Sequence, residues 1–219
     1  MTDAPHGATD RPAEDRAPSR GAARKQAFLD AALEVFLEQG FEAASVNEVV
    51  RLAGGSLATL YQQFGSKEGL FTAVADAATE RFVEPMVLAA AAGDNLEQGL
   101  QEIGERYLHG MLAPRGLAFF RIIIGEGRKF PTIMQRFLRT GPERVREVVA
   151  QFLLERGPPD NVPVTPDNAD ELASAFCELV RGRHQYRGLA DSAYMLTDAQ
   201  VTAHVRTAID IFLNGVRPR

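Results

Sequence analysis

The chain has 219 residues, 45% of them hydrophobic, and a formal net charge of −5. This size fits one large or two small domains with a buried core, and the acidic balance disfavours nonspecific nucleic-acid binding through overall charge. Its single cysteine, Cys177, cannot form an internal disulfide, and no apolar run approaches the ~18 residues of a membrane span, so we expect a reduced, cytoplasmic protein without membrane contact.

The pattern along the chain predicts an all-α fold, because helix formers dominate without sustained apolar–polar alternation. Residues 1–22 are rich in Ala, Pro, Asp and Arg and predict a disordered N-terminal arm. Basic residues in and beside this arm could reach a DNA minor groove: Arg11, Arg16, Arg20, Arg24 and Lys25. Interspersed acids favour a solvated tail instead. Residues 24–39 predict a first helix, which Gly40 ends.

Residues 45–71 have the punctuation of a helix-turn-helix. Glu48 follows a serine by three positions, as in a capping box, and Gly54-Gly55 supplies the left-handed backbone that a sharp turn needs. Serines are placed to cap the successive helices: Ser45, Ser56 and Ser66. We expect the short helix after the turn to enter a DNA groove.

The exposed face of this short helix carries hydroxyls and amides, which can bind phosphate oxygens and base edges. The residues predicted to contact DNA are Ser45, Asn47, Ser56, Leu57, Ala58, Thr59, Tyr61, Gln62, Gln63 and Lys67. Among them, Thr59, Tyr61 and Lys67 are expected on phosphates, and Leu57, Ala58 and Gln62 nearest the bases. The alternative is a helical hairpin whose polar face is merely solvated.

The same stretch resembles the DNA-binding domain of TetR-type transcriptional regulators. It matches the family pattern without gaps at Val46, Ala53, Gly54, Ser56, Leu60, Tyr61, Phe64, Lys67, Glu68 and Leu70. It departs from the pattern at Gly55, Ala58 and Gln63, where the family has an apolar residue, a glycine and a histidine. Gly55 is expected to loosen the turn slightly, and the other two departures to change the operator sequence rather than the fold. The resemblance implies a homodimer on double-stranded DNA.

Amphipathic patterns predict further helices after residue 67, with Pro85 kinking or breaking the first of them. The first begins at Lys67 and continues through Phe82, and the other expected segments are 95–111, 114–128, 131–140, 143–156, 168–187 and 198–214. Segment 114–128 is apolar nearly all round, which predicts a buried central helix. Segments 168–187 and 198–214 are predicted to form a four-helix-bundle dimer interface through Phe176, Leu179, Val205, Ile209 and Phe212. The alternative is that they close the core of the monomer.

Residues 118–145 resemble the C-terminal domain of AefR-like TetR regulators. The resemblance implies a cavity for a small apolar or amphipathic ligand. The expected lining is Phe82, Met86, Tyr107, Met111, Phe119, Phe120, Arg121, Ile123, Glu126, Met134 and Phe137. Arg121 and Glu126 are the polar groups expected to orient the ligand. The alternatives are an ordinary core for the apolar residues, and an internal salt bridge or a surface position for these two.

No motif indicates catalysis or a cofactor. The histidines His6, His109, His184 and His204 have no ligand-like spacing, and the chain lacks a P-loop, a nucleophile elbow and a dinucleotide fingerprint. Cys177 is interpreted as a core residue rather than a redox sensor. Two alternative functions stay open. An α-helical enzyme would be recognised by turnover of a pocket ligand, and a protein–protein adaptor by the lack of salt-dependent DNA affinity.

The predicted organisation is a disordered arm (1–22), a helix-turn-helix DNA-binding domain (23–71) and a helical ligand-binding and dimerisation domain (72–219). The predicted function is a one-component transcriptional regulator, a repressor that binds a palindromic operator as a homodimer and is released by a small-molecule ligand.

Overall fold

The computed structural model describes residues 19–216, which form eleven α-helices, one 3-10 turn at Pro158–Asp160 and no strand. The predicted arm up to residue 18, with Arg11, Arg16 and His6, lies outside the described residues. The helices are α1 (Arg20–Ala43), α2 (Val46–Ala53), α3 (Leu57–Phe64), α4 (Lys67–Ala92), α5 (Leu96–Leu112), α6 (Pro114–Glu126), α7 (Pro131–Thr140), α8 (Pro142–Arg156), α9 (Ala169–Arg181), α10 (His184–Ala190) and α11 (Asp198–Val216). The predicted all-α class is confirmed.

Helices α1 to α3 and the start of α4 enclose a small core, and we call this group of helices the head. Its centre is a group of phenylalanines, in which the Phe36 and Phe71 rings meet edge to face at 5.0 Å. This core extends beyond the head, because Phe119 and Ile123 of α6 and Ile133 of α7 are buried in the same cluster. Helices α6 and α7 therefore pack directly against the head and link its position to the rest of the molecule.

A second, larger core lies among α4, α5, α8, α9 and α11. Its fully buried side chains include Met86, Leu100, Ile103, Phe152 and Phe176. Helix α4 contributes to both cores, since Phe71 lies in the head and Met86 in the larger cluster. One continuous helix thus joins the two halves of the chain.

Several helix boundaries differ from the sequence predictions. Helix α1 begins at Arg20, because the Ser19 hydroxyl accepts the Ala22 amide at 3.2 Å, so the predicted disordered arm does not extend to residue 22. The backbone leaves helical geometry at Gly40, as predicted, but a final turn follows to Ala43.

Of the two predicted effects of Pro85, a kink or a break, the break is wrong, since α4 runs through it to Ala92. Val83 and Met86 on either side are buried in the larger core, and this packing offsets the hydrogen bond that proline removes. The predicted helix 168–187 is instead two helices, α9 and α10, separated at Gly182 with φ 45°.

Helix α6 is not buried all round as predicted. Leu117, Phe119 and Ile123 are buried, whereas Ile124 is 53% exposed. Its apolar surface is divided between the core and a cavity described below. Among the described residues, no helix combines the length and the apolarity needed to cross a bilayer.

Candidate nucleic-acid interface and ligand cavity

The helix-turn-helix is fixed by three serine caps. The Ser45 hydroxyl accepts the Glu48 amide at 3.4 Å, and the Ser56 and Ser66 hydroxyls accept the amides three residues on, each at 3.1 Å. The reciprocal half of the capping box is not formed. Gln39 of α1 accepts the Ser45 amide at 3.2 Å, and the Glu48 carboxylate pairs with Arg51 at 2.8 Å.

The turn between α2 and α3 packs closely on α1. Arg24 donates from Nη1 to the Gly54 carbonyl at 2.6 Å. Gly55 has φ +125°, and a Cβ at that position would lie 3.1 Å from Cζ of Phe28. The expectation that Gly55 loosens the turn is therefore wrong, because the missing side chain allows the turn to approach α1 closely.

Helix α3 presents most of the predicted DNA contacts on one exposed surface. The exposed predicted residues are Asn47, Ser56, Leu57, Ala58, Tyr61, Gln62 and Gln63. Thr59 is half-buried, and its hydroxyl lies 2.9 Å from that of Ser56. Leu60 at the opposite side of α3 is fully buried and anchors the helix in the head. We call this exposed surface of α2 and α3 the reading face.

Two predicted contacts also have roles inside the head. Ser45 is half-buried and caps α2. Lys67 donates to the Glu42 carbonyl at 2.8 Å, and its ammonium lies 5.1 Å from the Phe41 ring centroid. Lys67 therefore fastens the start of α4 to the end of α1 while adding positive charge beside α3.

A cavity of about 540 Å³ lies where α4 to α7 meet α1, and its size is typical of small-molecule sites. Seven of the predicted residues line it: Phe82, Tyr107, Met111, Phe119, Phe120, Met134 and Phe137. The remaining lining is Leu33, Ala78, Thr79, Arg81, Gly110, Ala113, Arg115, Gly116, Ile124, Leu138, Gly141, Pro142, Arg181 and Gln185. Aromatic rings from α4, α5, α6 and α7 thus surround one space.

Four predicted pocket residues do not line the cavity. Met86 and Ile123 are fully buried in the two cores. Arg121 points to α10 instead, donating to the Gly188 carbonyl at 2.7 Å and to the Leu189 carbonyl at 3.1 Å. Glu126 has a buried carboxylate oxygen 3.9 Å from Lys129. The proposed ligand-orienting roles of Arg121 and Glu126 are therefore wrong.

The polar residues of the cavity are ones that the sequence pattern did not indicate. Arg81 pairs with Asp30 at 2.9 Å, and Arg115 pairs with Glu34, so both reach from the cavity to carboxylates of α1. Arg181 is the third arginine of the lining. The sequence does show arginines near the predicted aromatic lining. Their place in the cavity could not be predicted from this, because the carboxylates that Arg81 and Arg115 bind lie 51 and 81 residues away in sequence.

Most of the side chains predicted for a dimer interface face the protomer's own core. Phe176, Val205, Ile209 and Phe212 are buried in the larger cluster, and Leu179 packs against it half-buried. The outer sides of α9 and α11 carry different residues, including exposed Ala175 and Ile211, the latter 56% exposed. For these side chains the structure agrees with the alternative interpretation, in which the two helices close the core of the monomer.

Residues 19–216 contain no group of three or more acidic, His or Cys side chains able to hold a metal ion. Cys177 is buried in α9, and burial raises the pKa of its thiol to about 12. A thiol with so high a pKa is a packing group rather than a nucleophile at neutral pH.

Comparisons with known proteins agree with both regions. Residues 28–74 match the bacterial regulatory proteins of the tetR family, and residues 98–215 match the AefR-like transcriptional repressor C-terminal domain. The regulator BetI of Rhizobium meliloti is 26% identical over 190 residues, which cover 84% of this chain and 90% of BetI.

Solved structures give the same result. The flavonoid-responsive regulator FrrA superimposes with a TM-score of 0.73 at 32% identity, covering 90% of this chain and 98% of FrrA. A TetR-family regulator from Mesorhizobium loti superimposes with a TM-score of 0.83 over the same shares of the two chains, and at 20% identity it supports the fold alone. These relatives are transcriptional regulators, not enzymes.

Proposed function

The chain belongs to the TetR family of transcriptional regulators, and we propose that it is a one-component repressor that binds a palindromic operator as a homodimer and is released by a small-molecule ligand. The observation that carries the proposal is the reading face, an exposed polar surface on a capped eight-residue helix. In this proposal residues 23–71 bind DNA, and residues 72–219 bind the ligand and the second subunit. Its place of action is the cytoplasm, where a bacterial operator lies.

On DNA, α3 would lie in the major groove with its exposed side toward the bases. Gln62 can bond adenine through its amide, and Leu57 or Ala58 can contact a thymine methyl. Tyr61 and Thr59 would bind phosphates. Within the described head, Arg51 and Lys67 are already engaged by Glu48 and Glu42, so helix N-termini and hydroxyls would supply much of the phosphate binding.

The dimer would form through the outer sides of α9 and α11, which pack next to each other in the protomer. Ala175 on α9 and Thr207 and Ile211 on α11 are exposed, and Leu172 and Leu179, which are half-buried against the larger core, flank Ala175 at helical spacing. None of these residues is fully buried. Two helices from each subunit would make a four-helix bundle, and two α3 helices would then enter successive major grooves ~34–36 Å apart.

Ligand control is supported by the position of the cavity. Leu33 of α1 and four residues of α4 belong to its lining, so a ligand there would contact helices that belong to the head or lead into it. FrrA is named for its response to flavonoids, and the aromatic lining here suits a planar aromatic ligand. Release requires that the ligand bind the DNA-free arrangement more tightly than the DNA-bound one. The match to AefR-like repressors supports repression as the output.

Hydroxyl-radical footprinting on the DNA upstream of the protein's own gene tests this proposal. The expected result is two protected patches on one face of the duplex, about one helical turn apart. Protection of a single patch would contradict the homodimer, and uniform cleavage across a panel of candidate operators would contradict operator binding.

A further inference from the structure

The lining of the cavity is largely apolar, but the charged residues in it all have the same sign. Arg81, Arg115 and Arg181 belong to the lining, whereas no Asp or Glu among the described residues does. The cavity is therefore an aromatic space with a purely cationic set of charged groups. Such a space favours a ligand that combines an aromatic body with an anionic group.

Two of these arginines bind carboxylates of the head. Arg81 of α4 lies 2.9 Å from Asp30, and Arg115 of α6 contacts Glu34. Asp30 and Glu34 are one turn apart on α1, and Leu33 beside them lines the cavity. These ion pairs therefore tie the first helix of the head to the rim of the cavity.

Both ion pairs are suited to exchange. The four side chains are each about half exposed, from 47% for Glu34 to 63% for Arg115. Exposed pairs contribute little to stability and can be replaced by another anion at small cost. A ligand anion at the rim would meet the same two arginines that hold Asp30 and Glu34.

The third arginine has an unsatisfied donor. Arg181 Nη2 pairs with Glu178 at 2.6 Å, but Nε is buried and has no hydrogen-bond partner among the described residues. Nε is buried from the cavity as well as from bulk solvent, so a ligand oxygen would meet the guanidinium through its other nitrogens. Arg181 therefore adds a third positive charge to the lining of the cavity.

We propose that the ligand is an aromatic organic anion, and that its charge displaces Asp30 and Glu34 from Arg81 and Arg115 and so unties α1 from α4 and α6. The inference rests on the proposed function, since it specifies the ligand class and the release step of the same cavity. A neutral ligand of equal shape would leave both ion pairs in place. Its affinities for the DNA-bound and the DNA-free arrangements of the head would therefore be similar, and it would release little DNA.

A matched pair of fluorescent probes tests the ligand class. Anilinonaphthalene sulfonate carries an anion, and phenylnaphthylamine has the same aromatic skeleton without it. We expect the anionic probe to bind the wild-type protein at least about fivefold more tightly, and Arg81→Gln/Arg115→Gln to remove most of that preference. Equal affinities for the two probes, or no saturable binding of the anion, would overturn the assigned class.

The ion-pair step is tested with the double variant Asp30→Asn/Glu34→Gln. Without the competing carboxylates, affinity for the anionic probe should rise about threefold to tenfold while the neutral probe is unaffected. The control is Glu147→Gln/Asp170→Asn, which removes one ion pair within α8 and one between α8 and α9 and makes the same change in net charge. An equal rise in both variants, or none in the first, would contradict competition.

A DNA measurement separates this inference from the proposed function. Asp30→Asn/Glu34→Gln should weaken operator binding about threefold or more relative to the control variant, and the anionic probe should release wild-type protein from DNA. If the wild type does not bind DNA, the proposed function fails, while the probe pair still decides the ligand class. If it binds DNA and both probes release it equally, the function stands and the ion-pair step is wrong.

Discussion

Arg24 at the start of α1 donates from its guanidinium to the carbonyl oxygen of Gly54 at 2.6 Å, thirty residues later in the chain. The bond fastens the turn between α2 and α3 to the first helix. The same guanidinium lies 3.3 Å from the Cβ position of Gly55. The orientation of α3 relative to the head therefore depends on α1 as well as on the turn itself.

Replacing Arg24 should loosen this turn. Arg24→Ala is expected to lower the free energy of unfolding by about 1 kcal/mol, because it removes a charge-assisted hydrogen bond to a backbone carbonyl in a partly exposed setting. Chemical denaturation measures this change. Lys25→Ala, at the exposed neighbouring position, is the control, and an equal effect of both variants would show that the bond to Gly54 does not matter.

Gly55→Ala should destabilise the head by more than 1 kcal/mol, about the scale of an incompatible backbone. Its φ of +125° is strained for any side chain, and the new Cβ would press on Phe28. Gly125→Ala is the matched control, since its Cβ would meet no atom within 4 Å and α6 should be slightly stabilised. Thermal denaturation measures both effects. Melting temperatures that shift in the same direction in the two variants would contradict the close packing of the turn on α1.

Tyr61→Ala should weaken operator binding about tenfold while leaving helicity and dimerisation unchanged, since Tyr61 is 44% exposed on the reading face. Anisotropy titration at fixed salt measures the affinity, and circular dichroism checks the fold. Tyr186→Ala on α10, where the ring is 71% exposed, serves as the control. Unchanged affinity of Tyr61→Ala would mean that another surface contacts DNA.

Charge on the outer side of α11 should separate the subunits. Ile211→Glu would bury a carboxylate in the proposed four-helix bundle, and we expect monomers in sedimentation at micromolar concentration. Leu88→Glu, at an exposed apolar residue of α4, should leave the dimer intact. A persistent dimer of Ile211→Glu would place the interface elsewhere.

Cys177 should be unreactive in the folded protein. Burial raises the pKa of its thiol to about 12, so the folded protein carries very little thiolate at pH 8. Reactivity is restored only when unfolding returns the pKa to its ordinary value. Ellman's reagent should therefore label the protein quickly in guanidinium and very slowly without it, and rapid labelling of the native protein would contradict the burial of this residue.

Features set by neighbouring residues were predictable from sequence. The Ser56 and Ser66 caps and the turn at Gly54-Gly55 follow from local chemistry and are found as expected. Features set by tertiary packing were not. Helix α4 passes through Pro85 because its flanking residues are buried, and Arg121 bonds α10 across 67 residues of sequence.

The candidate sites show the same division. Phe176 and Ile209 have the spacing of an interface, but a stripe at that spacing also fits a monomer core, and the structure gives them to the core. The aromatic half of the cavity followed from composition. Its arginines could not be assigned, because their carboxylate partners come from α1 through long-range packing.

Fluorescence anisotropy of the purified protein against its own upstream DNA and a scrambled duplex, at ~150 mM salt, tests the central claim most directly, because this salt suppresses nonspecific binding. We expect tight binding to the native sequence alone, and loss of that binding in Tyr61→Ala. Equal weak binding to both duplexes, unchanged in Tyr61→Ala, would contradict the claim that the exposed surface of α3 reads an operator in this region.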